Sequence, residues 1–293
     1  NRQVNTFGES KKRGRPAQKP LIIGVDAGCL GTQDSRVQMG VYTVSVEFLH
    51  QLSLLDRKNQ YLLYSFSPIT DSLMRQFGKN MKNVVLPKIG WFRFWLPLAL
   101  TFKKPDLFLA LSQALPHKDI PTIGFVYDCA FEKYPQGYPG SAKKLKTITR
   151  ALTQHAQTII TISDDSKKDI QEIYGVKKVI RAYPGVATEF TDASAKYIGD
   201  VPYFVFVGAL KRTKNIPLLL SGFAQFLKVA PQPHQLLLVG SNYWLDPEIK
   251  KTIETLKLED SVKIVGYVTQ VELVKYYRGA VAFVSPASHE GFG

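Results

Sequence analysis

Behind the apolar run Tyr203-Phe-Val-Phe-Val207 the chain reads Gly208-Ala-Leu-Lys-Arg-Thr-Lys-Asn215. A strand that ends in glycine lets a ligand approach the backbone closely, and a helix that follows points its unpaired N–H groups at an anion. Lys211, Arg212 and Lys214 add positive charge in the same place. The chemistry expected of this stretch is a grip on a phosphate group, with Gly208, Arg212 and Lys214 as the contacts. Pro217 suits the first turn of the helix, and Leu219, Phe223, Phe226 and Leu227 recur at helical spacing and give it a face to bury. A plain basic loop between a strand and a helix stays open as the alternative. The sequence closes on a second cluster, Ser285-Pro-Ala-Ser-His-Glu-Gly-Phe-Gly293.

Positioning these residues requires a frame of alternating strands and helices. Strands are expected at Leu21 to Val25, Tyr61 to Ser65, Asn83 to Leu86, Asp106 to Leu109, Thr122 to Tyr127 and Thr158 to Thr161. Alternation of this kind argues for a parallel sheet with helices on both faces. A helical stripe of Val37, Val41, Val44, Phe48 and Leu52 lies between the first two strands. Ser163 is suited to cap a helix, Asp164 and Asp165 favour its positive end, and Gly175 can close it. The polar stretch 187–200 reads as a linker. Beyond it, strands at Tyr203 to Val207, Gln235 to Val239, Val262 to Val265 and Ala280 to Val284 alternate with helices starting near Ile216, Pro247 and Gln270. The expected organisation is a tail (1–20), a first doubly wound domain (21–186), the linker, and a second doubly wound domain (201–293). Ligands of open α/β sheets bind beyond the carboxyl ends of the strands. That places Gly28 to Gly31, Tyr127-Asp128, Gly208 to Asn215, Gly266-Tyr267 and Glu290 to Gly293 along a common cleft.

Composition agrees with two such domains. The 293 residues are 45% hydrophobic, enough for sizeable cores. Cys29 and Cys129 stand far apart with no partners at metal-ligand spacing, which fits a reducing, cytoplasmic setting and excludes a disulfide scaffold or a cysteine zinc site. Residues 1–20 are polar and basic where a secretory signal has an apolar stretch. Neither carboxylate pairs in an Asp-x-Asp ligand set nor a Gly-x-Gly-x-x-Gly turn is present; Gly24-Val-Asp-Ala-Gly-Cys-Leu-Gly31 has the wrong spacing for a dinucleotide fold.

In order and spacing the stretch from about Leu21 to Gly293 resembles the group 1 retaining glycosyltransferases of GT-B fold. The residues that carry this are Gly208, Lys214-Asn215 and Glu290-Gly-Phe-Gly293, preceded by Ile22-Ile-Gly-Val-Asp26, Gly40-Val-Tyr42, Asp106-Leu-Phe108, Leu115-Pro116, Tyr127-Asp128, Thr161-Ile-Ser163 and Tyr183-Pro-Gly-Val186. The branch with a Lys-Asn pair after the second-domain glycine, which includes mannosyltransferases, is the most similar. The resemblance implies two Rossmann-like domains facing a cleft, a nucleotide-sugar co-substrate, no cofactor or metal, a glycan or lipid-linked acceptor, and a place in glycan or cell-envelope polysaccharide synthesis. It implies that Glu290 holds sugar hydroxyls and that the backbone N–H groups of Phe292 and Gly293 meet the diphosphate. Gly266, Tyr267 and Val268 fall at the nucleotide, and Gly28, Gly31, Gly40 and Tyr127 on the acceptor side. Asp128 either orients a sugar or caps the next turn. Where branch members read His-Asp, this chain reads Tyr127-Asp128, so no histidine contact is carried over. His289 is the one histidine beside a site residue, and His117 lies near the cleft in sequence. The family's acidic motif has a second glutamate eight residues after the first; the chain stops before it, so the second domain is expected to be incomplete and the 293-residue chain a poor transferase.

The charge suggests other partners. The formal balance is +14, of which residues 1–20 contribute six cations against one carboxylate. Lys11-Lys-Arg-Gly-Arg-Pro16 resembles the core of an AT-hook, which leaves a nucleic-acid-binding protein, or a non-catalytic nucleotide-sugar binder, as alternatives to the enzyme; a disordered basic tail is the plainer expectation. Trp91-Phe-Arg-Phe-Trp95 and Leu96-Pro-Leu-Ala-Leu-Thr-Phe-Lys-Lys104 mix aromatics and cations as interfacial helices do, but are too short to span a bilayer. A buried helix of the first domain and a peripheral membrane contact are both open.

Overall fold

The computed structural model describes residues 19–32, 40–186, 190, 195–241 and 245–292. Along the chain run β1 (Ile22–Asp26), α1 (Gly40–Leu55), β2 (Gln60–Ser65), α2 (Asp71–Met74), β3 (Met81–Val85), α3 (Leu96–Phe102), β4 (Leu107–Ala110), β5 (Thr122–Phe125), α4 (Ala130–Lys133), α5 (Ala142–His155), β6 (Thr158–Thr161), α6 (Asp164–Tyr174) and β7 (Val179–Arg181). After these come β8 (Tyr203–Val207), α7 (Ile216–Leu227), β9 (Gln235–Val239), α8 (Pro247–Thr255), β10 (Val262–Gly266), α9 (Gln270–Gly279) and β11 (Ala282–Phe283). The strands form two parallel sheets, ordered β3-β2-β1-β4-β5-β6-β7 and β10-β9-β8-β11.

Successive side chains of a strand point to opposite faces, so strands covered on both sides are apolar throughout. In β2, Leu63 faces the core under α1 with Leu49, whereas its neighbour Tyr64 joins Leu96 of α3, Leu152 of α5 and Ile170 of α6 on the other side. The second sheet repeats the arrangement. Phe206 and Leu236 pack beneath α7 and α8 with Leu220 and Ile249, while Val205 and Leu237 face Leu273 and Tyr276 of α9. Helix ends are set by the expected chemistry. The Ser163 hydroxyl accepts from Ser166 N at 3.0 Å, and Gly175 closes α6 with φ 68°. Thr269 and Glu272 form a reciprocal capping box on α9.

Several details depart from the sequence expectations. The strand expected at Asn83 to Leu86 starts at Met81, the one at Thr122 to Tyr127 ends at Phe125, and that at Ala280 to Val284 shortens to β11. The three-residue edge strand β7 was not expected, because Lys177-Lys178 interrupts its apolar signal; charged residues there are how sheet edges avoid further pairing. Helix α1 buries Ser45, Leu49 and Ser53, so the stripe of Val44, Phe48 and Leu52 lies at the margin of the buried face and Val41 is exposed. Val37, half of the expected linker and the Lys11 to Pro16 run lie outside the described residues. The aromatic segment is half buried and half exposed: Leu96 and Leu100 are fully inside, whereas Phe94, Leu98 and Phe102 are exposed. No helix among the described residues is long and apolar enough to cross a membrane.

Candidate active site

Both sheets have a switch point, where the chain stops adding strands to one side and starts on the other. In the first it lies between β1 and β4, and in the second between β8 and β11. Ligands of such sheets bind in the crevice at these points, beyond the carboxyl ends of the strands. Gly208 follows β8, and the stretch Val284 to Glu290 follows β11, so the second switch point brings together the two clusters that the sequence singles out.

The floor of the second crevice is backbone. Gly208 N donates to Val239 O at 2.9 Å, and Gly240 N donates to Gly266 O at 2.8 Å, which ties the ends of β8, β9 and β10 together. Gly240 has φ 138°, and a Cβ there would fall 2.1 Å from Gly208 O, so no other residue fits between the two loops. Sequence reading passed over Gly240, although its position directly after the apolar β9 repeats that of Gly208 after β8. Above this floor a cavity of about 400 Å³ is lined by Gly208, Lys211, Lys214, Gly240, Tyr267 and Val268, and across from them by Gly40 and Thr43 of α1. Tyr267 and Val268 thus share this cavity with Gly208, Gly266 accepts from Gly240 beside it, and Gly40, expected on the acceptor side, lines the same cavity.

The cations separate. Lys214 N bonds back to Lys211 O at 2.9 Å in the short 3-10 turn Arg212–Lys214. Side chains three apart in such a turn share a side. Lys211 and Lys214 therefore line the cavity together, and Arg212 lines a second hollow with Tyr134, Tyr138, Thr213, Asn215 and His289. Burial, and then the neighbouring Lys214, push the Lys211 ammonium below the ordinary lysine range. The Lys214 ammonium pairs with the Glu290 carboxylate. Asn215 adopts φ 52° at the start of α7, and its amide donates to Pro286 O at 3.4 Å, fastening the loop after β8 to the loop after β11.

Glu290 and Asp128 meet through Gly291. A Cβ on Gly291 would lie 2.9 Å from Asp128 Cβ and 3.0 Å from Tyr127 O, and Gly291 O accepts from Ser166 Oγ at 3.1 Å. The carboxylates of Asp128 and Glu290 both contribute to holding the Tyr138 phenol high, at about 12, after burial itself. Asp128 Oδ1 also accepts from Ala130 N at 3.0 Å, so it caps the next turn as well as facing the cleft. His289 lies beside Tyr134, ring centroids 5.6 Å apart and tilted by 39°, with Nε2 4.0 Å from Asp169 Oδ2. Phe292 is exposed, 5.8 Å from the Tyr183 ring, and Gly293 lies outside the described residues.

Three acceptor-side expectations look different in three dimensions. Tyr127 is buried, and its hydroxyl donates to Leu111 O at 3.0 Å; two residues after Phe125, it continues that side chain's core-facing side. Gly31 is packed against Ser67, whose hydroxyl donates to Gly31 O. Gly28 N donates to the buried Asp26 Oδ1 at 3.2 Å. Of the three, Gly28 stays nearest the first crevice, beside Phe66 and Trp91. His117 sits at the surface, 3.3 Å from Thr101 Oγ1. Among the described residues no group of three or more His, Cys, Asp or Glu is gathered in a way that could hold a metal ion.

Residues 188–293 match the family described as Glycosyl transferases group 1. Among curated proteins, O-antigen chain mannosyltransferase B of Escherichia coli is 25% identical over 199 residues, covering 61% of this chain and 50% of its own. D-inositol 3-phosphate glycosyltransferase of Thermobifida fusca is 30% identical over 163 residues, covering 49% of this chain and 37% of its own. The chain thus spans half or less of the length of these relatives. Among solved structures, WaaG, a glycosyltransferase involved in lipopolysaccharide biosynthesis, superposes with a TM-score of 0.66 at 14% identity, over 92% of this chain and 76% of that one. Anabaena Alr3699/HepE in complex with UDP and glucose gives 0.64 at 16% identity, over 93% and 76%. The architecture is that of the GT-B glycosyltransferases: α/β, with Rossmann-like parallel sheets facing a cleft.

Proposed function

We propose that this cleft transfers a glycosyl group from a nucleoside diphosphate sugar to a hydroxyl of a glycan or lipid-linked acceptor, with retention of configuration. The observation that carries the reading is the cavity at the second switch point, where a floor of strand-end backbone closed by Gly208 and Gly240 lies beneath the two ammonium groups of Lys211 and Lys214. A diphosphate fits such a place because backbone can approach it and two cations offset its charge. The matched relatives are themselves sugar transferases, and one neighbour was solved with UDP and glucose bound.

The chemistry follows from the charges. Breaking the bond between the sugar's anomeric carbon and the diphosphate leaves its electron pair on phosphate oxygen. Fixed cations aimed at that oxygen lower the barrier. Before the donor arrives, Lys214 is neutralised by Glu290. A diphosphate that takes over Lys214 releases the Glu290 carboxylate to accept from sugar hydroxyls, so one exchange of partners prepares both ends of the donor. Asp128, held against Gly291, faces the same space from the other sheet and is placed to orient a hydroxyl of the acceptor or of the donor sugar. The positive charge of Lys211 and Lys214 takes the part that a divalent ion plays where phosphate charge is otherwise countered.

A thermal-shift screen of the chain against UDP-, GDP-, ADP- and CMP-sugars tests the proposal, since a ligand that binds only the folded state raises its melting temperature. Selective stabilisation by one of the four, absent in Lys214→Ala, is the expected result. A folded chain that none of them stabilises would count against it.

A further inference from the structure

Between β3 and β4 the chain makes a single π-type turn, Trp91–Trp95, and runs directly into α3. The inward side of this segment is fixed. Leu96 and Leu100 are fully buried beside Tyr64 and Phe108, and Phe66 meets the half-buried Trp91 edge-on at 5.9 Å. The outward side is also apolar. Phe94, Leu98 and Phe102 recur every four residues, and they are 61%, 47% and 80% exposed, with Ile89 at 91% beside them. Side chains four apart lie on one helical face, so this is a continuous apolar stripe turned to solvent, unlike the single exposed apolar residues normal on a surface. A helix that is apolar all round belongs in a core or against a membrane.

Charge decides between coverings. From Arg75 to Lys104 the chain carries seven cationic side chains and no carboxylate. Lys88, Arg93, Lys103 and Lys104 are exposed on and around the stripe, with Arg93 lying over Phe94 at 5.3 Å to the ring centroid. Trp95 donates from its indole to Ile89 O at 3.0 Å, which holds the rings at the edge of the stripe. Aromatic and aliphatic side chains ringed by cations match a bilayer surface of anionic lipid: apolar groups enter the acyl boundary and ammonium groups stay at the phosphates.

We propose that the face formed by Ile89, Phe94, Leu98 and Phe102, with Lys88, Arg93, Lys103 and Lys104, docks on an anionic lipid bilayer. Its inner edge touches the first crevice, because Trp91 Nε1 lies 3.5 Å from where a Cβ on Gly28 would stand. A chain docked by this face therefore presents the cleft beside the membrane surface. The inference does not depend on the transferase reading, since lipid binding involves neither Lys214 nor Glu290.

Co-sedimentation of the full 293-residue chain with phosphatidylcholine vesicles, with and without phosphatidylglycerol, tests it, alongside sedimentation velocity without lipid. Binding is expected to the phosphatidylglycerol vesicles, weakening at high salt. Phe94→Ser with Phe102→Ser is expected to weaken it at least about tenfold, and Lys103→Glu with Lys104→Glu about fivefold for each cation removed. These side chains are exposed, so melting temperature serves as the folding control, and the charge variant reads the same face if the phenylalanine variant misfolds. No binding to phosphatidylglycerol vesicles, or binding that neither variant weakens, would overturn the proposal; the second result would assign the lipid affinity to another basic segment. Self-association of the lipid-free chain that disappears in Phe94→Ser with Phe102→Ser would also overturn it, making the stripe an interface between copies.

Discussion

Lys211 and Lys214 share one cavity while Arg212, between them, faces another, and this yields a sharp test at the level of single side chains. Charge-assisted contacts are worth about 1.5–3 kcal/mol each, so Lys211→Ala and Lys214→Ala should each weaken nucleoside diphosphate binding by about 10- to 100-fold by calorimetry. Arg212→Ala should change it less than about twofold. The sequence shows three cations within four positions and cannot say which pair acts together; the 3-10 turn decides that, by placing residues three apart on one side. Asp26 offers a second test. Burial raises its pKa above the ordinary 3.8, with the Gly28 N–H opposing the shift. A carboxyl whose folded pKa is raised favours the fold at low pH and costs stability as pH rises above 3.8. Asp26→Asn should therefore raise the melting temperature at pH 7, and the gain should shrink to nothing as pH falls below about 4.

Gly240, wedged between two strand-end loops, and Gly222, open to solvent in a helix, should respond to alanine in opposite ways. Gly240→Ala must displace Gly208 O and strain a φ of 138°; by denaturant unfolding it should cost at least about 2 kcal/mol. Gly222, exposed within α7 with open space around it, should gain up to about 1 kcal/mol on replacement by alanine. The central strands were legible because apolar runs such as Tyr203 to Val207 are covered on both faces and need no alternation. Caps were legible too, since Ser163 and Gly175 act through their own local chemistry. Direction at a strand's end was harder. Tyr127 reads as a cleft residue from its place before Asp128, yet the strand's two-residue period turns it into the core behind Phe125. The edge strand β7 was hidden because its pairing with β6 comes from backbone, and its lysine flank carries no apolar signal.

At the scale of the molecule, the parts that would act on a donor come from both sheets. Ser166 Oγ to Gly291 O, and Gly291 against Asp128, hold the loop after β11 to the first sheet's side of the cleft. Gly291→Ala places a methyl group 2.9 Å from Asp128 Cβ and should wedge the cleft open. The expected result is a larger radius of gyration in small-angle scattering, with donor affinity lowered at least about tenfold and far-ultraviolet circular dichroism unchanged. This closeness was not legible in the sequence, because Asp128, after β5, and Gly291, after β11, are distant along the chain and meet only when the carboxyl ends of the two sheets face each other. The phosphate grip at the second sheet's switch point is what a donor must meet first. Its most direct test is an equilibrium titration of UDP, GDP and ADP, with their monophosphates, against the wild-type chain, Lys211→Ala, Lys214→Ala and Arg212→Ala. One diphosphate is expected to bind more tightly than its monophosphate, and either lysine variant to lose this preference while Arg212→Ala keeps it. A folded chain that binds no diphosphate, or a preference that survives both lysine variants, would contradict it.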